Sequence, residues 1–313
     1  MATALVTGGA GFIGSHIVRG LLARGDSVRV FDNYSTGKHD NLAELAKQVE
    51  LLEGDIRDAE RIKTAAKGVD VIYHLAAMGS VPKSVDQPMA ANDNNATGTL
   101  NVLIAARDNG VGRVVYSSSS SAYGDTPTLP KIETMMPRPL SPYAVSKLAA
   151  EQYCLAFSHC YGLATVSLRY FNVFGPRQDP SSQYAAAIPA LVSRMLSGKP
   201  PIIFGDGEQT RDFCYVENVV EANLLGGTRP NLRGEVCNIA CGERVSLNEI
   251  IKLLNGHLGT NLQPEYQAPR AGDVKHSLAD LGEAARVLGY SPKVMFADGL
   301  KRSIEWYKAN LSR

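Results

Sequence analysis

Apolar residues along this chain come in short runs, separated by turn residues and by longer amphipathic stretches. Ala2 to Thr7 is the first run, followed by glycines from Gly8 to Gly14 and a helical pattern from Phe12 to Ala23. Ser27 to Asp32 predicts a second strand, and Glu50 to Glu53, Val69 to Leu75, Gly112 to Ser118 and Leu163 to Tyr170 predict four more. Helical patterns at Ala91 to Asn109 and Tyr143 to Tyr161 lie between the last three. Strands alternating with helices predict a parallel sheet covered on both faces. Beyond Tyr170 the pattern loosens, because Gly175-Pro176, Pro180, Pro189, Pro200-Pro201, Gly205, Gly207, Pro264 and Pro269 cut the chain into short elements. The expected organisation is an α/β, doubly wound parallel sheet over residues 1–170. A smaller C-terminal lobe over 171–313 would pack across a cleft and return a late strand or helix to the first.

Composition narrows the class. With 44% hydrophobic and 20% charged residues, a chain of 313 residues folds as one large or two modest domains and is not globally disordered. Its 32 basic and 31 acidic side chains leave a net charge of +1. That balance provides no general field for nucleic acid or an anionic membrane and points to a small-molecule partner. No stretch approaches the ~18 to 20 uninterrupted apolar residues of a membrane span. Met1-Ala2-Thr3-Ala4-Leu5-Val6 lacks the cationic segment of a secretory signal. Cys154, Cys160, Cys214, Cys237 and Cys241 are few and odd in number, which fits reduced thiols in a cytoplasm better than a disulfide framework. No second Cys or His pair stands at zinc spacing from Cys237 and Cys241, so no metal is expected.

Thr7-Gly8-Gly9-Ala10-Gly11-Phe12-Ile13-Gly14 joins the first strand to the first helix. Glycine often serves only a turn. At a strand–helix junction, however, Gly8 permits the tight turn, Gly11 lets a pyrophosphate approach the backbone, and Gly14 allows close helix packing. Phe12 and Ile13 then open the helix whose N-terminus meets the anion. Asp32 ends the second strand 18 residues after Gly14. A carboxylate there accepts both ribose hydroxyls and repels a 2′-phosphate, which predicts NAD over NADP. Asp55, in Gly54-Asp55-Ile56, either meets the adenine or caps a helix from Arg57 onward. His74-Leu75-Ala76-Ala77 closes the fourth strand with small residues that leave room for a ligand.

Tyr143 and Lys147 stand at i and i+4, on one helical face. A nearby ammonium and a bound pyridinium both favour the phenolate and bring the tyrosine toward working pH. Ser117 to Ser121 follow the fifth strand at the sheet's carboxyl edge, where doubly wound folds bind ligands. Singly these features are commonplace. Together they predict an enzyme rather than a non-catalytic NAD-sensing protein, which needs no proton-transfer triad.

Over nearly its whole length the sequence resembles the extended short-chain dehydrogenase/reductases, and within them the nucleotide-sugar 4-epimerases. The resemblance rests on the glycine loop, Asp32-Asn33, Gly54-Asp55-Ile56, His74-Leu75-Ala76-Ala77, Asn94-Asn95 through Gly98-Thr99, Ser117-Ser118-Ser119, and Tyr143 with Lys147. It implies a Rossmann-like domain with tightly held NAD, Tyr143 as base, Lys147 on the nicotinamide ribose and Ser119 sharing the substrate hydroxyl. Asn33, Asp55, Ile56, Leu75, Ala76, Ala77, Asn95, Ser117 and Tyr170 would complete the cofactor pocket. The family's dehydratases and decarboxylases carry an acid just after that serine. Ser120, Ser121 and Ala122 stand here instead, which implies that hydride returns to the carbon it left.

In the second lobe, Tyr170-Phe171-Asn172, Gln209 to Phe213 and Ala268 to Asp273 resemble substrate-side segments of the family. There Asn172, Arg211 and Arg270 would hold a diphosphate, Phe213 would lie against uracil, and Asp273 would accept a ribose hydroxyl. Two guanidiniums suit a dianion. Cys237 resembles the position that gates the sugar pocket, where a small side chain would admit a 2-acetamido group. Phe174 to Pro180 is similar to the N-acetylhexosamine epimerases, while Arg177 offers a partner for a uronate carboxylate. The implied activity is a UDP-hexose 4-epimerase interconverting UDP-GlcNAc and UDP-GalNAc and also UDP-Glc and UDP-Gal, with UDP-glucuronate as the alternative. A homodimer through Ala91 to Asn109 and Tyr143 to Tyr161 is implied as well. Leu100, Leu103, Ile104, Leu148 and Phe157 would be divided there between core and interface.

Overall fold

The computed structural model describes residues 1–180, 187–268 and 275–311. Strands β1 (Thr3–Thr7), β2 (Ser27–Asp32), β3 (Val49–Glu53), β4 (Val71–His74), β5 (Arg113–Ser119) and β6 (Ala164–Tyr170) lie within two residues of the expected runs. After them come β7 (Val173–Phe174), β8 (Ile202–Phe204), β9 (Thr210–Arg211), β10 (Cys214–Tyr215), β11 (Glu235–Ile239), β12 (Val245–Ser246) and β13 (Glu265–Gln267). The helices are α1 (Phe12–Arg24), α2 (Ala59–Ala65), α3 (Val81–Asp86), α4 (Pro88–Asn92), α5 (Gly98–Asp108) and α6 (Pro142–Tyr161). They continue with α7 (Ala187–Leu196), α8 (Val216–Thr228), α9 (Leu247–Leu258), α10 (Gly282–Leu288) and α11 (Phe296–Leu311).

Seven strands form one parallel sheet in the order β11-β6-β5-β4-β1-β2-β3. The chain reverses its direction of travel between β1 and β4, so the carboxyl ends of those strands leave a crevice, the usual ligand position of an open α/β sheet. Alternate residues of each strand serve opposite layers. Leu5, Phe31, Ile72 and Val114 pack with Ile62 of α2, Leu103 of α5 and Phe157 of α6. Val6, Val30, Val115 and Val166 pack with Leu21 of α1, Val219 of α8 and Leu288 of α10. Because both faces are covered, the strands read as unbroken apolar runs. The seventh strand, β11, and helices α8 and α10 come from beyond residue 170 yet complete this sheet and its cover. The rest of the second lobe has its own core, with Ile188, Leu191, Phe213, Ile250, Leu254, Phe296 and Leu300 among its members.

The helical stretch expected over Ala91 to Asn109 is not continuous. Residues 93–97 form a π-helical turn between α4 and α5. The Asn94 side-chain amide donates to the Ala90 carbonyl at 2.7 Å, and the Thr99 hydroxyl donates to the Asn95 carbonyl at 2.5 Å. Side chains that take backbone acceptors in this way interrupt the regular ladder. Within these helices Leu103 and Phe157 are buried in the core, whereas Leu100 and Ile104 are only partly covered. Helix α6 is sharply bounded: the Ser141 hydroxyl accepts from the Ala144 amide, Pro142 opens the first turn, and Gly162 closes the helix in the left-handed region. Those signals place Tyr143 in the first turn. No described helix is long and apolar enough to cross a membrane.

One contact tests this packing directly. A Cβ at Gly227 of α8 would lie 1.8 Å from the hydroxyl of the fully buried Tyr73. Gly227→Ala is expected to lower stability by about 1–3 kcal/mol in urea unfolding. Gly256→Ala, at an exposed position of α9 with nothing within 4 Å, is expected to raise it by about 0.5–1 kcal/mol.

Candidate active site

At the carboxyl ends of β1 and β4, three segments meet by backbone. Gly8 has φ +70°, and a Cβ there would stand 2.6 Å from the Ala76 amide nitrogen; one on Gly14 would stand 2.1 Å from the Gly8 carbonyl oxygen. Helix α1 starts from Gly11, with no side-chain cap and no acidic residue in its first turn. Its first amides are therefore left to a ligand anion. Gly8, Gly11, Phe12, Ile13 and Gly14 form one wall of a cavity of about 390 Å³.

Asp32, Asn33 and Ile56 line the same cavity. The Asp32 carboxylate accepts from the amides of Ala10 at 2.9 Å and Tyr34 at 2.8 Å. Burial pushes its pKa up, and those amide bonds hold it back. Ser35, Thr36 and Gly37 also line the cavity. The small polar residues after Asp32 were the only sequence signal for them.

Asp55 stands between two lining residues, and the Arg57 guanidinium and the Asn33 amide hold its carboxylate at 2.7 and 2.9 Å. The Arg57 bond keeps its pKa well below the ordinary range. The residue that caps α2 is Asp58, whose side chain accepts from the Arg61 amide. Gly54 and Ile56, on either side of Asp55, do reach the cavity.

Leu75, Ala76 and Ala77 form the wall opposite the glycine loop. They are held by Thr7, whose hydroxyl receives the Leu75 and Ala76 amides at 3.2 and 3.3 Å and lies 2.6 Å from His74 Nδ1. His74 is fully buried, and burial, with the nearby Lys147 charge, lowers its pKa to about 3. Asn95 is one residue out of place as a lining group. Its side chain is buried between the Met78 amide and the Ser146 hydroxyl, while Asn94 faces the cavity.

Ser117, Tyr143, Lys147 and Tyr170 stand on the remaining wall, with Ser118. Ser119 is not itself a lining residue; its hydroxyl accepts from the Ser121 amide at 3.2 Å and lies near enough to the Tyr143 phenol to act on it. Burial raises the Tyr143 pKa and the nearby Ser119 hydroxyl opposes that rise. The group acting on the phenol is thus Ser119. Lys147 instead reaches the Ser117 hydroxyl at 3.5 Å and lies over the Tyr116 ring at 4.7 Å. Burial brings the Lys147 pKa down to about 7.

A second cavity, of about 490 Å³, lies in the C-terminal lobe. Asn172, Arg211 and Phe213 line it, as do Arg194, Phe204 and Gln209, none of which the sequence had singled out as ligands. Asn172 donates to the Asp212 carbonyl at 3.1 Å, and Arg211 to the Lys275 carbonyl at 3.0 Å. Asp212, unassigned from sequence, is buried, and its carboxylate accepts the amides of Cys241, Gly242 and Ala279, tying β10 to the end of β11. Burial raises its pKa to about 6. Arg270 and Asp273 lie outside the described residues.

Two expectations are corrected. Cys237 lines neither cavity: it is fully buried in the core shared with α1, α8 and α10. The register of β11 on β6, with Cys237 opposite Leu168, turns it inward and puts Asn238 on the other face. It therefore gates no ligand in this structure. Arg177 likewise misses both cavities and approaches Glu44 at 3.7 Å. It belongs to a strap over residues 175–180, in which His16 Nε2 donates to the Pro176 carbonyl at 3.0 Å and Lys38 pairs with Asp179 at 2.7 Å.

A glycine cradle that a Cβ would fill, an uncapped helix N-terminus and a buried carboxylate at the end of β2 fit a dinucleotide. The sequence profile of the NAD dependent epimerase/dehydratase family matches residues 4–240. The chain belongs to that family. Within this family the chain is similar to the UDP-N-acetylglucosamine 4-epimerase of Methanobrevibacter ruminantium M1, solved with UDP-N-acetylmuramic acid. The identity is 39%, coverage is 98% of each chain and the TM-score is 0.94. It is equally similar to the UDP-glucose 4-epimerase of Thermotoga maritima, solved with UDP-glucose, at 40% identity, 99% of each chain and a TM-score of 0.94. A UDP-glucuronate 4-epimerase of Thermodesulfobacterium geofontis is 35% identical over 318 residues, covering 98% of this chain and 96% of that protein. As a family member it is an extended short-chain dehydrogenase/reductase with NAD as cofactor, and an isomerase.

The strap makes stability depend on pH. Burial lowers the His16 pKa to about 4 from 6.5. Above pH 6.5 both folded and unfolded states carry it neutral; as pH falls toward 4 only the unfolded state takes up the proton, so stability is lost over that window. His16→Gln keeps a donor for Pro176. It is expected to make the fall in unfolding free energy between pH 6.5 and 4 shallower by about one proton, measured by urea unfolding across that range.

Proposed function

We propose that this enzyme inverts C4 of neutral UDP-hexoses, interconverting UDP-GlcNAc and UDP-GalNAc and also UDP-Glc and UDP-Gal. The observation that carries the reading is the near absence of carboxylates: among the described residues lining the two cavities, Asp32 is the only one. A dehydratase or decarboxylase needs a second acid or base beside the tyrosine. An epimerase needs only a proton relay and a sugar free to turn. The similarity to enzymes named for UDP-N-acetylglucosamine and UDP-glucose supports both substrate pairs. Arg177 approaches Glu44 and lines neither cavity, which favours the neutral sugars over a uronate.

Bound NAD supplies a hydride acceptor that can return what it takes. The protein's share is proton transfer and positioning. Tyr143 removes the C4 hydroxyl proton and later returns it, with Ser119 sharing the hydroxyl. Lys147 and Ser117 hold the ribose end of the cofactor, and Asp32 takes the adenosine ribose. Residues 1–170 do this work, and the lobe beyond 170 holds the nucleotide. In that lobe Arg194 and Arg211 provide guanidiniums for the diphosphate, and Phe213 and Phe204 an apolar wall for the base. The nucleotide is gripped and the sugar is not, so the 4-keto sugar can present its other face.

The test is incubation of purified protein, without added reductant, with UDP-GlcNAc, UDP-Glc and UDP-glucuronate separately, and chromatography of the products. A 4-epimer from either neutral sugar is the expected outcome; one from the glucuronate alone overturns the substrate reading. Tyr143→Phe is expected to bind UDP as before and to lose at least a hundredfold in turnover. Wild-type turnover in that variant would remove Tyr143 from the mechanism.

The protein is further read as a cytoplasmic homodimer. Val85 and Met89 on α3 and α4, with Val145 and Tyr153 on α6, expose apolar side chains at 61%, 71%, 52% and 39%. Sedimentation velocity of Val145→Asp and Met89→Asp is expected to show a shift from dimer to monomer; an unchanged dimer would move the interface elsewhere.

A further inference from the structure

We propose that Glu151 and Arg169 are positioning residues of the proton relay: their buried ion pair clamps the ends of β5 and β6 to α6 and so holds Ser119 against Tyr143. The inference rests on the reading of Tyr143 and Ser119 as that relay.

The clamp has three arms. Glu151 continues the stripe of Tyr143 and Lys147 along α6, one helical turn further on. Its Oε1 accepts from Arg169 Nη2 at 2.6 Å, and its Oε2 from Arg169 Nε at 2.9 Å and from the Ser118 hydroxyl at 2.7 Å. Ser118 and Arg169 are register partners on β5 and β6, one residue before the strand ends Ser119 and Tyr170. One carboxylate on the catalytic helix therefore grips both strands where their pairing stops. The third arm comes from the other side of Ser119. The Arg169 guanidinium lies 4.7 Å from the ring centroid of Tyr123, which closes the short turn Ser120–Tyr123. The Tyr123 hydroxyl in turn donates to Asn238 Oδ1 of β11 at 2.7 Å. Ser118 and Tyr123 thus bracket Ser119, and both are held by the same ion pair.

Glu151 and Arg169 are 1% and 2% exposed. A pair so buried is weak evidence of a contribution to stability, since apolar replacement of both partners is often neutral or favourable, while loss of one is strongly destabilising. Bidentate geometry does fix direction and distance. That difference separates positioning from packing.

The experiment compares Ser118→Ala, which removes one arm and leaves the pair, with the double variant Glu151→Leu/Arg169→Met. Melting temperature, kcat and KM for UDP-GlcNAc and UDP-Glc, and the ultraviolet phenolate titration of Tyr143 (by difference from Tyr143→Phe) are recorded for each. Ser118→Ala is expected to melt near the wild type. Its kcat should fall about tenfold to a hundredfold at unchanged KM, and its Tyr143 titration should move to higher pH as the Ser119 hydroxyl draws away from the phenol. The double variant is expected to recover thermal stability relative to Glu151→Leu alone without recovering turnover. Wild-type kcat and titration in Ser118→Ala, or turnover that returns together with stability in the double variant, would overturn the clamp. If the double variant does not fold, Ser118→Ala decides alone. The titration needs no substrate. A wild-type protein that makes no 4-epimer would therefore defeat the functional reading, whereas a Tyr143 titration unmoved by Ser118→Ala would defeat the clamp.

Discussion

The carbonyl oxygen of Gly8 lies where a Cβ on Gly14 would be 2.1 Å away. That missing carbon lets α1 begin against the end of β1 and directs its unpaired amides into the crevice between β1 and β4. A Cβ on Gly8 would in turn collide with Ala76, so the loop after β4 approaches for the same reason. The dinucleotide groove, the position of Asp32 across it and the wall of small residues facing it all depend on this backbone contact. Side chains tune it: Thr7 gathers the Leu75 and Ala76 amides and the buried His74 around the same point.

Around that groove the protein buries several titratable groups, and burial drives each toward its neutral form. Lys147 is brought down to about 7, Tyr143 is raised, and His74 is kept uncharged. In such surroundings the phenolate depends on what opposes desolvation. Within the chain that is the nearby Ser119 hydroxyl; a positive charge carried in by a ligand acts in the same direction. A cation entering the groove would therefore favour the Tyr143 phenolate, which requires no moving part. That dependence also explains why the hydroxyl beside Tyr143 must be held closely, because a hydrogen bond weakens steeply with misalignment.

Much of this was legible along the chain. The strands, the glycine loop, Asp32 and the Tyr143–Lys147 stripe are local patterns, each spanning only a few residues or one helical turn. The failures were of a different kind. Asp55 offered itself as a helix cap, but the residue that caps α2 is Asp58, and Asp55 pairs with Arg57 two residues on. The helix over Ala91 to Asn109 looked continuous, but the amide of Asn94 and the hydroxyl of Thr99 compete for backbone acceptors, and periodicity does not register that. Cys237 was placed by resemblance at a ligand gate, yet strand alternation turned it into the core.

By itself, then, the sequence determined the alternation of strands and helices, the close backbone approach at the glycine loop, and the placement of Tyr143 and Lys147 on one helical face. All of these are set by spacing within short segments. Tertiary structure alone decided which residues share a face or a partner. Tyr123 meets Asn238, His16 meets Pro176, Asp212 meets Ala279, and Glu151 joins Ser118 to Arg169. Most of these contacts cross long spans of chain, and even the shorter ones depend on which face of strand or helix the register turns toward the partner. A shift of one residue along a strand carries a side chain from ligand to core, and only the packing of the completed sheet selects between them.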